Sequence, residues 1–305
     1  MEIATELLPQ LGVRPLAGAI ARAAGDADVL RRGSGVALAG ALDVGVGEQR
    51  RRFGITPNGR FVPVDRLRPA LGSAWHGIDV KAIGLPVGFA LRDGIQPRYL
   101  WKRRAAIIGD QEYALRQPIP LSGRYRTLNG TRYYETRAGS WVRHGDVIIV
   151  FNRDRFPEFA KGSARWLDVS LATQTLVAYE GRRPIYATLI SSGRDRVGNP
   201  DQGPSTPRGV FRVREKHVSR EIDSREVGRR HRLLEVPWVV DLTAGFSLVG
   251  SYWLDHFGDA RGYHHVALSP IDARFLFHWM PPALPNGWHS VVADPEESPV
   301  VYVHK

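Results

Sequence analysis

Phe246 to Trp279 reads FSLVGSYWLDHFGDARGYHHVALSPIDARFLFHW, and the local signals in this stretch set the fold at the C-terminal end. Ser269-Pro270 is a helix start: a hydroxyl able to cap the first amides, then a proline whose fixed φ suits the first turn. The spacing of apolar residues after it predicts a helix beginning at Asp272 that buries Phe275, Leu276 and Trp279. Upstream, His265 stands at the start of the strand or loop leading to Val266-Ala267-Leu268. On a strand the adjacent His264 and His265 would point to opposite faces, so they could not easily share one ion.

Outward from that stretch, the 305 residues are ordinary for a folded chain: 43% apolar, 24% charged, with 32 glycines and 21 prolines. Glycine and proline in these numbers, with few long helical patterns, favour short strands and turns, so the fold class expected is mainly β. The length suggests two or three domains. The net charge of +11 favours polyanions, whether nucleic acid, anionic lipid or acidic wall polymers. It is diffuse, and no nucleic-acid-reading module accompanies it, so no specific nucleic-acid partner is expected. The chain has no cysteine, which excludes disulfides and thiolate metal sites. The start, MEIATELLPQLGVRPLAGAIARAAG, is acidic and broken by Pro9 and Pro15, so no convincing export signal and no transmembrane segment are expected in this sequence.

Three zones follow residues 1–30. GVALAGALDVGVGEQRRRFGITPNGRFVPVDRLRP, Gly35 to Pro69, alternates around Pro57-Asn58-Gly59, a hairpin signal. RYYETRAGSWVRHGDVIIV, Arg132 to Val150, repeats its order: a strand with an aromatic, a turn ending in glycine (Gly59, Gly139), an aromatic and a valine (Phe61-Val62, Trp141-Val142), then an aspartate (Asp65, Asp146). Two tandem SH3-like β modules over 31–160 are expected from this parallel. After a charged linker, WLDVSLATQTLVAYEGRRPIYATLISSG from Trp166 predicts a hairpin turning at Glu180-Gly181, with Ser191-Ser192-Gly193 making a turn at the strand end. In TPRGVFRVREK, Thr206 to Lys216, proline fixes a turn and glycine lets a strand start close to its neighbour.

These motifs, in this order, resemble the L,D-transpeptidases (YkuD-type domains), bacterial cell-wall enzymes with a cysteine nucleophile. The likeness runs from the W-x-x-V-x-L strand through T-P-R-G to the C-terminal YVHK, and Leu248, Gly250, Tyr252, Trp253, Asp255, Phe257, Gly258, Pro270, Asp272, Ala273 and Arg274 all follow the family frame. It implies an L,D-transpeptidase-like β-sandwich with short helices over 164–305. The reactive residues do not follow. Val249 and Leu254 stand where the family carries histidines; its S-H-G-C becomes Gly262, Tyr263, His264 and His265; a further polar position becomes Ala267. An imidazole supplies no thiolate, tyrosine with its ordinary pKa near 10 is a poor base, and His264 brings a β-carbon where the family has glycine.

The resemblance therefore implies an inactive relative, a pseudoenzyme of the cell envelope or periplasm. It would bind peptidoglycan stem peptides or a cell-wall protein partner, with Tyr252, Trp253, Asp255, His256, Tyr263 and His265 lining the cleft. The alternative is an active hydrolase or transferase with a repurposed His/Asp site. Asp255, His256, His264, His265, His278 and His289 match no metal-ligand spacing, so neither metal nor cofactor is expected. Ser251 and Ser269 lack the G-x-S-x-G elbow of a serine hydrolase.

Overall fold

The structure is a computed structural model and describes residues 35–305, apart from 37, 39, 48–49, 57–58, 71, 196, 200–203, 223–232 and 295; the segment 1–30 lies outside the described residues. In chain order, β1 (Gly40–Val44), β2 (Arg51–Ile55) and β3 (Phe61–Pro63) form an antiparallel meander followed by a 3-10 turn, Val64–Arg66. The β2–β3 hairpin is the one read around Gly59, which sits at φ +77°, a value glycine tolerates at no steric cost. Pro57 and Asn58 of that turn lie outside the described residues.

Next come β4 (Ile78–Asp79), α1 (Val80–Ile83), β5 (Val87–Ala90), β6 (Arg98–Trp101), β7 (Arg104–Ile107), β8 (Pro118–Leu128), β9 (Thr131–Thr136), β10 (Trp141–Arg143) and β11 (Val147–Val150). Seven of these strands make one sheet in the order β11-β5-β8-β9-β10-β6-β7, with a 3-10 turn, His144–Asp146, before β11. The strand, glycine turn, strand and 3-10 turn seen at β2–β3 thus recur at β9–β10, where Gly139 lies at φ +83°.

The C-terminal part contains β12 (Arg165–Ser170), β13 (Thr175–Glu180), β14 (Arg183–Leu189), β15 (Gly209–Ile222), β16 (Leu233–Leu242), β17 (Ser247–Gly250), β18 (Val266–Leu268), α2 (Pro270–Trp279), β19 (Ser290–Val292) and β20 (Val300–His304). The sheet runs β18-β17-β16-β15-β20-β12-β13-β14-β4, with β19 on β15. The fold is mainly β, as the composition predicts, and among the described residues no helix is long and apolar enough to cross a membrane.

Period-two alternation assigns neighbouring side chains of β12, β13 and β20 to two cores. Leu167, Val169, Leu176, Ala178, Val301 and Val303 face a core completed by β15 to β18 and α2. Trp166, Val177, Tyr179 and Val300 face the other side, where Ile78, Val80, Val87, Phe89 and Val150 cover them. Trp166 stacks on Tyr179 at 4.5 Å between ring centroids. Each large apolar side chain so enclosed contributes roughly 1.5–3 kcal/mol. Since β4 also pairs with β14, residues on both sides of the 160/164 boundary share one core.

Helix α2 begins two residues earlier than the reading from Asp272. Ser269 caps it by accepting from the Asp272 amide at 3.0 Å, with Pro270 as first residue. Its core face is Ala273, Leu276, Phe277 and Met280, the i, i+3, i+4, i+7 stripe of a 3.6-residue period. Phe275, expected to be buried, is 37% exposed and lies over Tyr186 instead, while Trp279 is partly covered. Two phenylalanines two positions apart compete for one stripe, and Phe277 has the better phase. Ser191-Ser192-Gly193 is likewise not a turn: Ser191 bridges Ala267, Gly193 bridges Gly262, and the chain turns only afterwards, at Arg194-Asp195.

Candidate functional site

β17 and β18 run parallel with Val249 beside Ala267. His265 immediately precedes β18 and is 5% exposed; Arg220, His264 and Asp241 act on its ring. Val249, 1% exposed, and Ala267 pack with Ile222, Leu233, Val236 and Val239, and Leu254 and Tyr252, both partly buried, lie against that apolar cluster.

The loop before β18 is tied by its backbone amides mainly to neighbouring segments. The Gly262 amide donates to Ser192 O at 2.8 Å, that of His264 to Pro204 O at 3.2 Å, and that of His265 to Tyr263 O at 2.6 Å. Thr206 Oγ1 donates to His265 O and accepts from the Gly193 amide, so the T-P-R-G segment braces this loop. A β-carbon on Gly193 would fall 1.9 Å from Pro204 O, which explains the glycine. His264 keeps φ +57°, the left-handed region glycine enters freely and other L-residues enter at a cost of about 1–2 kcal/mol. Burial, with Arg220 and His264 nearby, pushes the His265 imidazole down to about 4, so it is neutral at neutral pH.

In the Tyr252 to Gly258 loop, the Tyr252 hydroxyl donates to Leu234 O at 3.1 Å and its ring lies against Gly35, where a β-carbon would collide with it. Trp253 is 41% exposed and His256 faces solvent. Asp255 accepts from Ser73 Oγ at 2.5 Å and Arg116 Nη1 at 2.6 Å, while Arg116 Nη2 donates to the Asp255 carbonyl at 2.6 Å. Burial raises the Asp255 pKa, but the Ser73 and Arg116 bonds outweigh it and hold the carboxyl below its ordinary value. Arg116 is itself buried, its guanidinium carbon 5.6 Å from the Trp75 ring centre and 5.8 Å from that of Phe257, beside that stacked pair. Cleft lining was expected of six residues. Tyr252 and Asp255 are tied to N-terminal residues, His265 is enclosed, Tyr263 is half-buried under the Arg194 guanidinium, and Trp253 and His256 reach solvent.

Arg116 was not legible in sequence: it is one arginine among many, 139 residues from its partner. The histidines weighed for zinc do not assemble. Among the described residues the group that brings three ligand atoms within 4.8 Å of one another is Glu215, His217 and Asp241.

Residues 164–286 match the profile of YkuD, the L,D-transpeptidase catalytic domain. Among similar solved structures, an L,D-transpeptidase from Mycobacterium smegmatis is 17% identical, with 91% of this chain and 98% of that one covered and a TM-score of 0.36. L,D-transpeptidase 3 from Mycobacterium tuberculosis is 14% identical over 91% and 98% of the two chains, also with a TM-score of 0.36. A Xylanimonas cellulosilytica L,D-transpeptidase is 17% identical over 50% of this chain, at a TM-score of 0.34; the match spans 65% of that chain, just under two thirds of its length. No curated protein matches the sequence. With the motif order and the profile in agreement, residues 164–286 of this chain resemble the L,D-transpeptidase (YkuD) catalytic domain.

Proposed function

We propose that this protein is a catalytically inactive L,D-transpeptidase-like member of the bacterial cell envelope, binding peptidoglycan stem peptides or a wall-associated protein. The observation that carries this reading is the state of position 265. Acyl transfer by this family's chemistry needs a reachable nucleophile, a base and free donors for the oxyanion. At 265 there is a 5%-exposed neutral imidazole, and the amides of 264 and 265 already donate to Pro204 and Tyr263. Val249, Leu254 and Ala267 replace polar groups with apolar contacts.

A repurposed His/Asp site finds no support here. Asp255 is committed to Ser73 and Arg116, and its neighbour His256 faces solvent. Binding rests on the rim that remains outside: Trp253, His256 and the edge of Tyr263, with the positive charge of the chain favouring acidic wall polymers. We read 31–160 as tandem SH3-like modules that add to this surface, ahead of the domain at 164–305. The repeated strand, glycine turn and 3-10 turn support that division, although the first unit has only three strands among the described residues.

The test is incubation of the purified protein with tetrapeptide muropeptides, following binding by calorimetry and products by mass spectrometry. Binding without product, weakened by Trp253→Ala, is expected. Crosslinked or hydrolysed product would overturn the inactive reading, and absence of binding would overturn the stem-peptide one in favour of a protein partner.

A further inference from the structure

We propose that Glu215, His217 and Asp241 form a divalent-cation site, for which zinc is the best match, on the β15–β16 ladder. Glu215 and His217 are two residues apart on β15 and share a face, and Asp241 pairs directly with Glu215 across the ladder. Two carboxylates directly opposite repel each other, and a fold that keeps such a pair gains from a cation between them. The His217 Nε2 atom lies 3.2 Å from Glu215 Oε2 and 3.4 Å from Asp241 Oδ2. The first is a long hydrogen bond, and both separations exceed the ~2.7–2.9 Å of a charge-assisted one. They match the edge of a tetrahedron around zinc, about 3.3–3.4 Å for metal–ligand bonds of about 2.0–2.1 Å.

The surroundings orient the ligands as an outer shell does. Asp241 Oδ1 accepts from Ser247 Oγ at 2.5 Å and from Arg220 Nη2 at 3.0 Å, leaving Oδ2 turned to His217. Glu215 Oε1 faces Arg214 Nε at 3.5 Å, leaving Oε2 for the same point. Outer partners of this kind fix carboxylate rotamers and raise affinity. Lys216, between the two β15 ligands, points to the other face, where its Nζ donates to Met280 O and Pro282 O. It caps the end of α2 and leaves the site without a competing cation from that position. Asp241 is buried while Glu215 and His217 are about a third and a fifth exposed, so the fourth coordination position opens towards solvent and would take water or a carboxylate from outside.

The experiment is a titration of zinc chloride into the EDTA-treated full chain by calorimetry, with cobalt as a spectroscopic probe of geometry. One zinc per chain is expected, with the intense visible absorption of tetrahedral cobalt. His217→Gln and Glu215→Gln, both at partly exposed positions, should each weaken binding at least about tenfold, and Ser247→Ala about 10- to 100-fold by releasing Asp241. Circular dichroism confirms that each variant is folded. No zinc binding by the wild-type chain overturns the proposal, as does binding that His217→Gln and Glu215→Gln leave unchanged.

Discussion

Asp272 and His265 are both buried polar residues of the same domain, seven positions apart, and their surroundings differ in kind. The Asp272 carboxylate accepts from Tyr186 OH and Thr188 Oγ1 at 2.6 Å and from the Gly77 amide at 2.9 Å, which ties α2 to β14 and to the segment leading into β4. Its burial raises its pKa, and those donors pull it back. The His265 ring, by contrast, is buried near Arg220, His264 and Asp241, while the amide before it donates to Pro204 O. At Asp272 polar bonds join elements of the fold, whereas the side chains of Val249 and Ala267 make apolar contacts. The two regions answer to different demands, so they should respond differently to substitution.

The largest effect is expected at Asp272. Asp272→Ala leaves three buried donors without an acceptor, at a cost of about 3–5 kcal/mol. Urea unfolding at neutral pH measures this. A loss under about 1 kcal/mol would mean that the carboxylate does not hold α2 in place.

At His265 the effect appears through pH. Between the ordinary histidine pKa of 6.5 and the folded value of about 4 the unfolded chain binds more protons, so stability falls as pH drops through that window. At about 1.36 kcal/mol per pH unit the loss amounts to about 3 kcal/mol. It is read as the difference between the wild-type chain and His265→Leu, measured by urea unfolding near pH 7 and near pH 4. The wild type should lose this extra stability; equal losses in both chains would place His265 in contact with water.

The smallest effect is expected at His264. Gly at φ +57° relieves the left-handed penalty of about 1–2 kcal/mol, but costs about 0.5–1 kcal/mol in unfolded-state entropy. His264→Gly should therefore stabilise by up to about 1 kcal/mol. A clear destabilisation would show that the ring, tilted at 40° against Tyr263, is part of the packing.

Much of the fold was legible because its signals are local. The Ser269-Pro270 cap, the Glu180-Gly181 turn and the T-P-R-G strand start each depend on residues within a few positions, and each is where the sequence put it. The error at Phe275 came from choosing between two phenylalanines by spacing alone, when Ala273 and Met280 fix the phase of the stripe. What lay outside sequence reasoning was long-range. Arg116 meets Asp255 only because β8 is brought against the Tyr252 loop, and Glu215 meets Asp241 through a register that shifts between Val213 and Glu215. The departures from the resembled pattern at 249, 254 and 265 could be read from residue types. That Val249 and His265 are buried, and that the amides of Gly262 and His264 donate to Ser192 and Pro204, required coordinates.

The central claim is that position 265 and its surroundings perform no acyl transfer. Intact-protein mass spectrometry after prolonged incubation with a carbapenem tests it most directly, because a carbapenem needs only one nucleophile and one oxyanion site to leave a covalent mass. The account predicts an unmodified chain at neutral pH. A stoichiometric adduct mapped by peptide analysis to any residue from 249 to 268 would contradict it.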